Sequence, residues 1–307
     1  MQQPHQRSRA PLPNGTAVRT SAHHAHGTPR GRLRNRSVQH PFTAVSAVGL
    51  DLGDVIDLCV GYAPLLRPGE AFSHTTAALL FGVPLPRSIE ARPLHVLSPD
   101  GVAQARTRGI VGHRRARPFT VTHVRGIPVV SPELAWLQLS GSLTREDLTA
   151  AGDFMVTGAR VGFQRLVPHT SLPALDAAFA AREVRRGREA ARWALDRIRV
   201  GADSRPETLL RLCIVAAGFP EPSVNVPVAI GDGAVWHPDL SYPEWRIAIE
   251  YQGAPHWDVH AWKRDTERRE RFEDAGWRSL FVTSSDLFAS PASFLDRLGR
   301  TIADRRG

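Results

Sequence analysis

Residues 237–257 read HPDLSYPEWRIAIEYQGAPHW, in which Asp239 and, eleven positions later, Glu250 stand among neighbours that are mostly apolar or aromatic. The run WRIAIEYQG is rich in aliphatic and aromatic residues, which is typical of a buried strand that ends at Gly253. A carboxylate in such a strand costs free energy unless a cation or hydrogen bonds compensate it. The stretch therefore raises the question of what compensates the two charges.

The two-residue period of a strand predicts which side chains share a face. Glu250 and Gln252 have the same parity, so both point to the same side of the sheet. Asp239 ends the preceding strand, and we expect its carboxylate to converge with Glu250 there, with Gln252 beside them. The predicted faces are Trp245, Ile247, Ile249 and Tyr251 on one side and Arg246, Ala248, Glu250 and Gln252 on the other.

The segments on either side complete an α/β unit over residues 204–307. Ser204 and Glu207 have the spacing of a capping box, and Pro206 fits the first turn of the helix that follows. NVPVAI and AVWHPDL predict two strands around a glycine-containing turn. A helix from about Val259 to Ala275 and a last strand, RSLFVTS, come after WRIAIEYQG. The predicted order is helix, three strands, helix, strand.

Four motifs in this unit carry a family resemblance: PETLLRLCI, HPDL, IAIEYQGAPH and DTERRERFEDAGW. Together they resemble bacterial domains, of the actinobacterial type, related to very-short-patch-repair endonucleases. Those domains belong to the PD-(D/E)xK restriction-endonuclease-like superfamily, whose core is an αβββαβ unit. The resemblance covers about a third of the chain, and it implies metal-dependent hydrolysis of phosphodiester bonds in DNA, in DNA repair or phage defence.

The resemblance also implies a role for individual residues. Asp239 and Glu250 would bind Mg²⁺ or Mn²⁺, and the carbonyl oxygen of Tyr251 would be a third ligand. Mg²⁺ is commonly held by one or two carboxylates together with water and phosphate oxygens. Glu207 would assist, and His256 would lie near the metal. Gln252 takes the place of a lysine found in much of the superfamily, and as a neutral amide it would position the attacking water.

Each of these residues also has a simpler interpretation. Glu207 is equally expected as the reciprocal half of a capping box, and Asp239 as a strand-end residue open to solvent. Glu250 would then pair with Arg246 on its own face, and His256 would be an ordinary loop residue. The corresponding alternative function is a non-catalytic DNA-binding regulator or antitoxin that retains a degenerate nuclease fold, with a toxin as its partner.

The rest of the chain divides into three predicted segments. Residues 1–36 form a basic disordered tail, residues 37–140 an α+β region, and residues 141–203 a helical connector. Within the second segment, FSHTTAALLFGVP predicts a helix begun by Ser73, and SPELAWLQL a helix capped by Ser131. PLHVLSP and GIVGHRR predict two strands joined as a basic hairpin. This region is similar to the winged-helix antitoxin side of abortive-infection systems, although the similarity is loose.

Charge predicts where DNA would be held. Of the formal net charge of +9, the seven arginines of residues 1–40 are unopposed, whereas residues 201–307 hold 13 Lys or Arg against 16 Asp or Glu. Affinity for a phosphate backbone would therefore come from the tail or the middle of the chain. In the predicted hairpin we assign it to four arginines: Arg106, Arg108, Arg114 and Arg115.

Composition restricts the class of protein. Hydrophobic residues make up 42% of the 307, enough for a sizeable core, and no apolar run is long enough to span a membrane. The basic N-terminus has no apolar segment behind it, which argues against a secretory signal. Cys59 and Cys213 are too few and too far apart for a metal motif or a disulfide framework. These features predict a cytoplasmic protein.

Overall fold

The computed structural model describes residues 14–21, 38–162, 164–181, 186–229, 235–252 and 272–306. Contacts divide the chain into two compact units, Met1–Leu139 (the N-terminal unit) and Ser140–Gly307 (the C-terminal unit). Both units combine helices with sheets, so the chain has a mixed α/β fold, in agreement with the prediction. The segment predicted as a helical connector falls in the same unit as the predicted nuclease-like domain.

The described residues of the N-terminal unit form two sheets. In the first sheet the strands have the order β1-β3-β2, and in the second they have the order β6-β5-β4-β8-β7. The second sheet is mixed, because β4–β8 and β5–β6 are parallel whereas β4–β5 and β7–β8 are antiparallel. The strands are β1 (Thr16–Arg19), β2 (Val38–Gln39), β3 (Val45–Val48), β4 (Ala71–Phe72), β5 (Leu94–Ser98), β6 (Ile110–Arg114), β7 (Val121–Val124) and β8 (Ile127–Val130).

The helices in the described residues of this unit include α1 (Val55–Tyr62), α2 (His74–Leu80) and α3 (Pro132–Leu139). Their starts follow from local capping chemistry. The Asp54 carboxylate accepts hydrogen bonds from two amides of the first turn of α1, and the Ser131 hydroxyl accepts one from Leu134 N at 3.4 Å in α3. Ser73 precedes α2 as predicted, but its side chain makes no capping bond; its hydroxyl contacts the neighbouring His74 ring instead.

Two predictions for the N-terminal half were wrong. Thr16–Arg19 lies in the segment predicted as a disordered tail, yet it pairs with β3 along its whole length, and Arg19 Nε donates to Pro64 O at 2.6 Å. The strands predicted to form a basic hairpin, β5 and β6, are parallel. Parallel strands need a connection that leads from the end of one strand back to the beginning of the next. Residues 99–109 are long enough for this connection, whereas a tight turn is too short.

The first part of the C-terminal unit is mainly helical. Its helices are α4 (Arg145–Thr157), α5 (Leu172–Ala180) and α6 (Arg188–Leu195), with a small antiparallel pair of strands, β9 (Arg160–Val161) and β10 (Gln164–Arg165). Gly187 precedes α6 with a φ of 74°, a left-handed conformation that glycine adopts without strain.

The rest of this unit is built around a four-stranded sheet. Its helices are α7 (Arg205–Ala216), α8 (Ser284–Phe288) and α9 (Pro291–Arg306), and its strands are β11 (Ser223–Val224), β12 (Val228–Ala229), β13 (Val235–Trp236), β14 (Leu240–Tyr242), β15 (Ile247–Gln252) and β16 (Arg278–Thr283). The sheet order is β11-β14-β15-β16. β15 is antiparallel to β14 and parallel to β16, as expected if a crossover joins β15 to β16.

The predicted hairpin NVPVAI/AVWHPDL is present as two short ladders in one register. β12 pairs with β13, and β11 pairs with β14, with the same residue offset throughout. The ladder is interrupted between them at Pro227 and Pro238, which have no amide hydrogen to donate. The third strand begins later than predicted, because Trp245 ends a short 3₁₀ turn and Arg246 has a left-handed φ of 50°.

The sheet of the C-terminal unit is apolar on both faces. One face packs against α7 and α9, and its buried residues are Leu210, Ile214, Leu240, Tyr242, Ile247, Ile249, Leu280, Val282, Leu287, Phe294, Leu298 and Ile302. The other face carries a smaller cluster of Val228, Trp236, Ala248, Phe272 and Trp277. No helix in the described ranges combines the length and apolar character needed to cross a lipid bilayer.

Candidate functional site

The predicted carboxylate pair lies at the junction of β14 and β15. Leu240 pairs with Ile249, so the antiparallel register places Asp239, directly before β14, opposite Glu250. Both residues are partly buried, and Pro238 beside Asp239 is fully buried. The sheet thus brings together two residues that are eleven positions apart in sequence.

The predicted faces of β15 are confirmed where its residues are buried. Ile247, Ile249 and Tyr251 contact the cluster that includes α7 and α9, whereas Ala248 belongs to the opposite cluster with Trp236. Glu250 points to that second face, because its Oε1 accepts a hydrogen bond from Trp236 Nε1 at 3.0 Å. An indole N–H is a donor only, so the Glu250 carboxyl oxygen is the acceptor in this bond.

Asp239 is oriented by backbone groups of its neighbours. Its Oδ2 accepts a hydrogen bond from Tyr251 N at 2.7 Å, and its carbonyl oxygen accepts one from Asn225 N at 3.1 Å. The first bond holds the Asp239 carboxylate against β15 at Tyr251, the residue that follows Glu250. Asn225 has a left-handed φ of 51°, a conformation that asparagine adopts more readily than most residues.

Glu207, at the start of α7, is the third carboxylate of the site. It is buried, and its Oε2 accepts hydrogen bonds from Asp203 N at 2.8 Å and from Asn225 Nδ2 at 3.4 Å. Ser204 caps the helix as predicted, since its hydroxyl accepts from Glu207 N at 3.3 Å. The Glu207 side chain bonds one residue before the cap, so it does not complete the reciprocal capping box.

Burial raises the pKa of the Glu207 carboxyl to about 8, and the charge of Asp239 adds to the effect. Two carboxyl groups that interact in this way share their protons, so both prefer a cation or a proton nearby. The site therefore resists carrying its full negative charge at neutral pH.

Two arginines of the small strand pair β9–β10 reach the same region. Arg160 Nη1 lies 2.7 Å from one oxygen of Asp203, and Arg165 Nη2 lies 2.6 Å from the other. Asp203 is the residue whose amide donates to Glu207. These arginines were not expected from the sequence, because they belong to the predicted connector and no local motif links them to the carboxylates.

The remaining predicted site residues are placed as follows. Gln252 is exposed at the end of β15, and Tyr251 is half-buried. His256 lies outside the described residues. Among the DNA-binding candidates of the N-terminal unit, Arg106, Arg108 and Arg114 are exposed, and Arg115 Nε donates to Arg117 O at 3.2 Å.

The carboxylates alone do not form a ligand cluster of three. Within the part of the chain that the structure describes, the group of three or more side chains with metal-compatible spacing is His74, His95 and His113, whose ligand atoms all lie within 4.8 Å of one another. The histidines belong to three segments without any metal-binding spacing in sequence. Only the strand pairing brings them together, so sequence reasoning missed them.

The ring of His113 is stacked with those of His74 and His95, and it shares a hydrogen bond with His95. His95 Nδ1 and His113 Nε2 are 2.9 Å apart, and the centroids of the His74 and His113 rings are 3.7 Å apart with an interplanar angle of 18°. Burial lowers the pKa of His74 to about 3 and that of His113 to about 4, and it lowers the pKa of His95 as well. All three imidazoles are therefore neutral at neutral pH.

Comparison with known proteins adds a bacterial relationship. Two proteins from two strains of Mycobacterium tuberculosis are each 26% identical to the chain over 226 residues, which are 73% of this chain and 78% of each relative. Both relatives are described as uncharacterized proteins, so they bring no activity with them. No family model matches the sequence, and no solved structure matches it significantly.

Proposed function

We propose that the C-terminal unit hydrolyses phosphodiester bonds of DNA with the help of Mg²⁺ or Mn²⁺, acting in the bacterial cytoplasm in DNA repair or phage defence. The observation that carries the proposal is the position of Asp239, which lies opposite Glu250 in the register of β14 and β15 and whose charge acts on the buried Glu207. Carboxylates are brought together at a cost in free energy, and a bound divalent cation compensates that cost.

The donor atoms fit a hard divalent cation. Asp239 and Glu250 offer carboxylate oxygens from adjacent strands, and Tyr251 offers its carbonyl oxygen, the oxygen-only set that Mg²⁺ prefers. When bound, the cation would polarise the scissile phosphate and favour a hydroxide nucleophile. Tyr251 N–H and Trp236 Nε1–H each occupy one carboxylate lone pair and hold the two side chains in place.

The other residues would bind and orient the reactants. Gln252 is exposed at the end of β15, and its neutral amide would hold the attacking water. In the metal-free protein the pKa of Glu207 is raised to about 8, and this carboxyl would assist by exchanging a proton with a water at the site. Arg160 and Arg165 would bind phosphates of the DNA backbone. Those phosphates would compete with Asp203 for the two guanidinium groups.

A second candidate function is a DNA-binding regulator or antitoxin without catalysis. It is favoured by the neutral Gln252 where a lysine would supply positive charge, and by the exposed Arg106, Arg108 and Arg114 of the N-terminal unit. In that case DNA is held by phosphate contacts and the carboxylate junction is a structural remnant.

A plasmid-nicking assay separates the two functions. Wild-type protein should relax supercoiled DNA with Mg²⁺ or Mn²⁺ and not with EDTA. Asp239→Asn and Glu250→Gln should each abolish cleavage because each removes a charged ligand, and Gln252→Lys should keep or raise it because a cation stabilises developing phosphate charge. Glu244→Gln, an exposed carboxylate just before β15, is the matched control and should cleave normally.

Two outcomes would refute the endonuclease proposal. Cleavage that survives in Glu250→Gln would show that the metal is not held here. No cleavage by any variant, together with weaker DNA binding when Arg106, Arg108, Arg114 and Arg115 are replaced by Ala, would favour the regulator. Loss of phosphate contacts should weaken binding to all sequences alike and reduce its salt dependence.

A further inference from the structure

We propose that His74, His95 and His113 bind one Zn²⁺ ion in the N-terminal unit, with a water or an exogenous ligand in the fourth position. The ligand atoms of the three rings lie within 4.8 Å of one another. Three histidines and one open position form a common zinc coordination set in proteins. This site uses different residues and a different metal class from the carboxylate junction.

Three secondary-structure elements hold the ligands in place. His74 is the first residue of α2, and His95 and His113 lie on the parallel neighbours β5 and β6. The start of α2 is tied to β5 by two hydrogen bonds, from His95 N to Thr76 Oγ1 at 2.8 Å and from Ser73 N to His95 O at 3.0 Å. A site on regular elements keeps its ligands within a small range of positions.

The backbone of His74 is in an uncommon conformation. Its φ is 53°, in the left-handed region, and its amide donates to Gln138 Oε1 at 3.0 Å. A residue with a side chain rarely adopts this conformation without a compensating contact, and such residues concentrate at ligand sites. The conformation directs the His74 ring onto the ring of His113, so a strained residue completes the histidine group.

The change needed to bind zinc is small. In tetrahedral coordination with Zn–N bonds of about 2.0–2.1 Å, two ligand nitrogens are separated by roughly 3.3 Å. His95 Nδ1 and His113 Nε2, at 2.9 Å, would move apart slightly. The His74 ring would rotate out of its stack, because the lone pair that binds the metal lies in the ring plane. Rotation about χ2 of histidine has broad, shallow preferences.

The ligand chemistry selects the metal. Three imidazoles favour Zn²⁺, Cu²⁺ or Ni²⁺ over Mg²⁺ and Ca²⁺, which prefer oxygen ligands. Zn²⁺ has no geometric preference of its own, so it tolerates the stacked starting arrangement better than Cu²⁺ or Ni²⁺, which favour tetragonal sites. Bound zinc would link α2, β5 and β6, and would stabilise the N-terminal unit through its binding free energy.

The experiment uses the full-length protein without an affinity tag, stripped of metal and titrated with ZnCl₂ against a chromophoric chelator. We expect one tightly bound Zn²⁺ per chain, detected also by native mass spectrometry, and a rise in the melting temperature. X-ray absorption of the zinc complex should show three imidazole ligands. This measurement on the wild type keeps the proposal testable even if a variant folds poorly.

Variants then assign the ligands. His95→Gln and His113→Gln should each weaken zinc binding by about 100-fold or more, since even second-shell changes cost 10–100-fold. His123→Gln is the matched control, because His123 is an exposed residue on β7 of the same sheet, and it should bind zinc normally. The sequence HHAH at residues 23–26 offers competing imidazoles, so a variant with Ser at these histidines is a second control.

Three outcomes of these experiments would exclude the proposed zinc site. Wild-type protein that binds no Zn²⁺ at micromolar concentration would show that the rings form only a hydrogen-bonded stack. Zinc retained in His113→Gln at full affinity would place the metal elsewhere. Zinc lost when residues 23–26 are changed would assign binding to the N-terminal segment.

Discussion

Glu207 illustrates how one buried carboxyl couples folding to protonation. In the folded protein its pKa is raised to about 8 by burial and by Asp239, whereas in an unfolded chain it titrates near the ordinary value of 4.5. The folded state therefore binds one more proton than the unfolded state between these two values. The stability that this proton contributes is complete below the unfolded pKa and is lost as the pH rises through the folded one.

The first prediction follows from this loss of stability with rising pH. In EDTA, Glu207→Gln should match the wild type in melting temperature near pH 5 and exceed it at pH 9, because the variant never has to ionise. The amide oxygen can still accept the hydrogen bond from Asp203 N. A gap that grows with pH, by roughly 2–4 °C per kcal/mol, would be measured by thermal melts across the range. A constant gap would show that Glu207 is ionised in the fold at neutral pH.

The face on which a side chain lies was predictable from the sequence where the two-residue period of a strand alone determines it. The alternation in β15 was enough to put Glu250 on the face opposite Ile247 and Ile249. The hydrogen bond from Trp236 to Glu250 was not predictable, because it depends on the packing of the Trp236 side chain on the face of the sheet that carries Ala248. Arg246 was expected as the partner of Glu250 in the simpler interpretation, yet it lies in a left-handed turn before the strand.

Helices α4 and α7 are joined by a buried ion pair. Asp153 Oδ2 lies 2.9 Å from Arg211 Nη2 and accepts a hydrogen bond from Thr208 Oγ1 at 2.8 Å, and both charged side chains are 1% exposed. Arg211 also contacts Glu221 at 2.7 Å. Removing one member of such a pair leaves the other charge buried and under-compensated, which is far more costly than losing a surface pair.

The second prediction compares this pair with an exposed one. Asp153→Ala should destabilise the protein by about 3–5 kcal/mol. Asp196→Ala, which breaks the surface pair with Arg192 on α6, should cost less than about 1 kcal/mol. Both side chains of the control pair are 48% exposed. Chemical denaturation of the two variants gives the comparison, and equal losses would mean that burial does not set the cost here.

Elements were predicted well where their signals are local. Ser131 was predicted to begin a helix through capping chemistry, and its hydroxyl accepts a hydrogen bond from Leu134 N as expected. Strand direction is not a local property, so the parallel pairing of β5 and β6 and the three histidines that it assembles could not be read from the sequence. The strand Thr16–Arg19 was missed because its flanking residues have the composition of a tail.

At the scale of the whole chain, the contacts set a boundary between residues 139 and 140, next to the predicted boundary between residues 140 and 141. The sequence suggested a further boundary at 204, because the nuclease-like motifs begin there, and the contacts place both sides of it in one unit. α4 contributes Asp153 to the buried ion pair, and the segment before α7 contributes Arg160 and Arg165 to the carboxylate site. The predicted connector therefore supplies both stabilising and candidate functional contacts within the C-terminal unit.

The third prediction tests that boundary. A fragment of residues 140–307 should fold cooperatively, because it keeps Asp153, Arg160 and Arg165. A fragment of residues 204–307 should be much less stable, since Arg211 loses its main countercharge and the helical packing around it. Circular dichroism and thermal melts of the two fragments provide the measurement. Two equally stable fragments would instead place the boundary at residue 204.

The crossover between β5 and β6 has a consequence for how molecules meet in solution. β6 is an edge strand, and edge strands present free backbone groups on which another chain can add a strand and aggregate. Here the Gln104 side-chain amide donates to Gly112 O on that edge, and a Cβ at Gly112 would collide with Ala105 O. The chain's own crossover thus lies against the edge, and the exposed Arg114 at the end of β6 adds a charge, which disfavours pairing with another strand. A larger side chain at Gly112 would displace the crossover and leave the backbone groups of β6 open to pairing with a strand of another molecule.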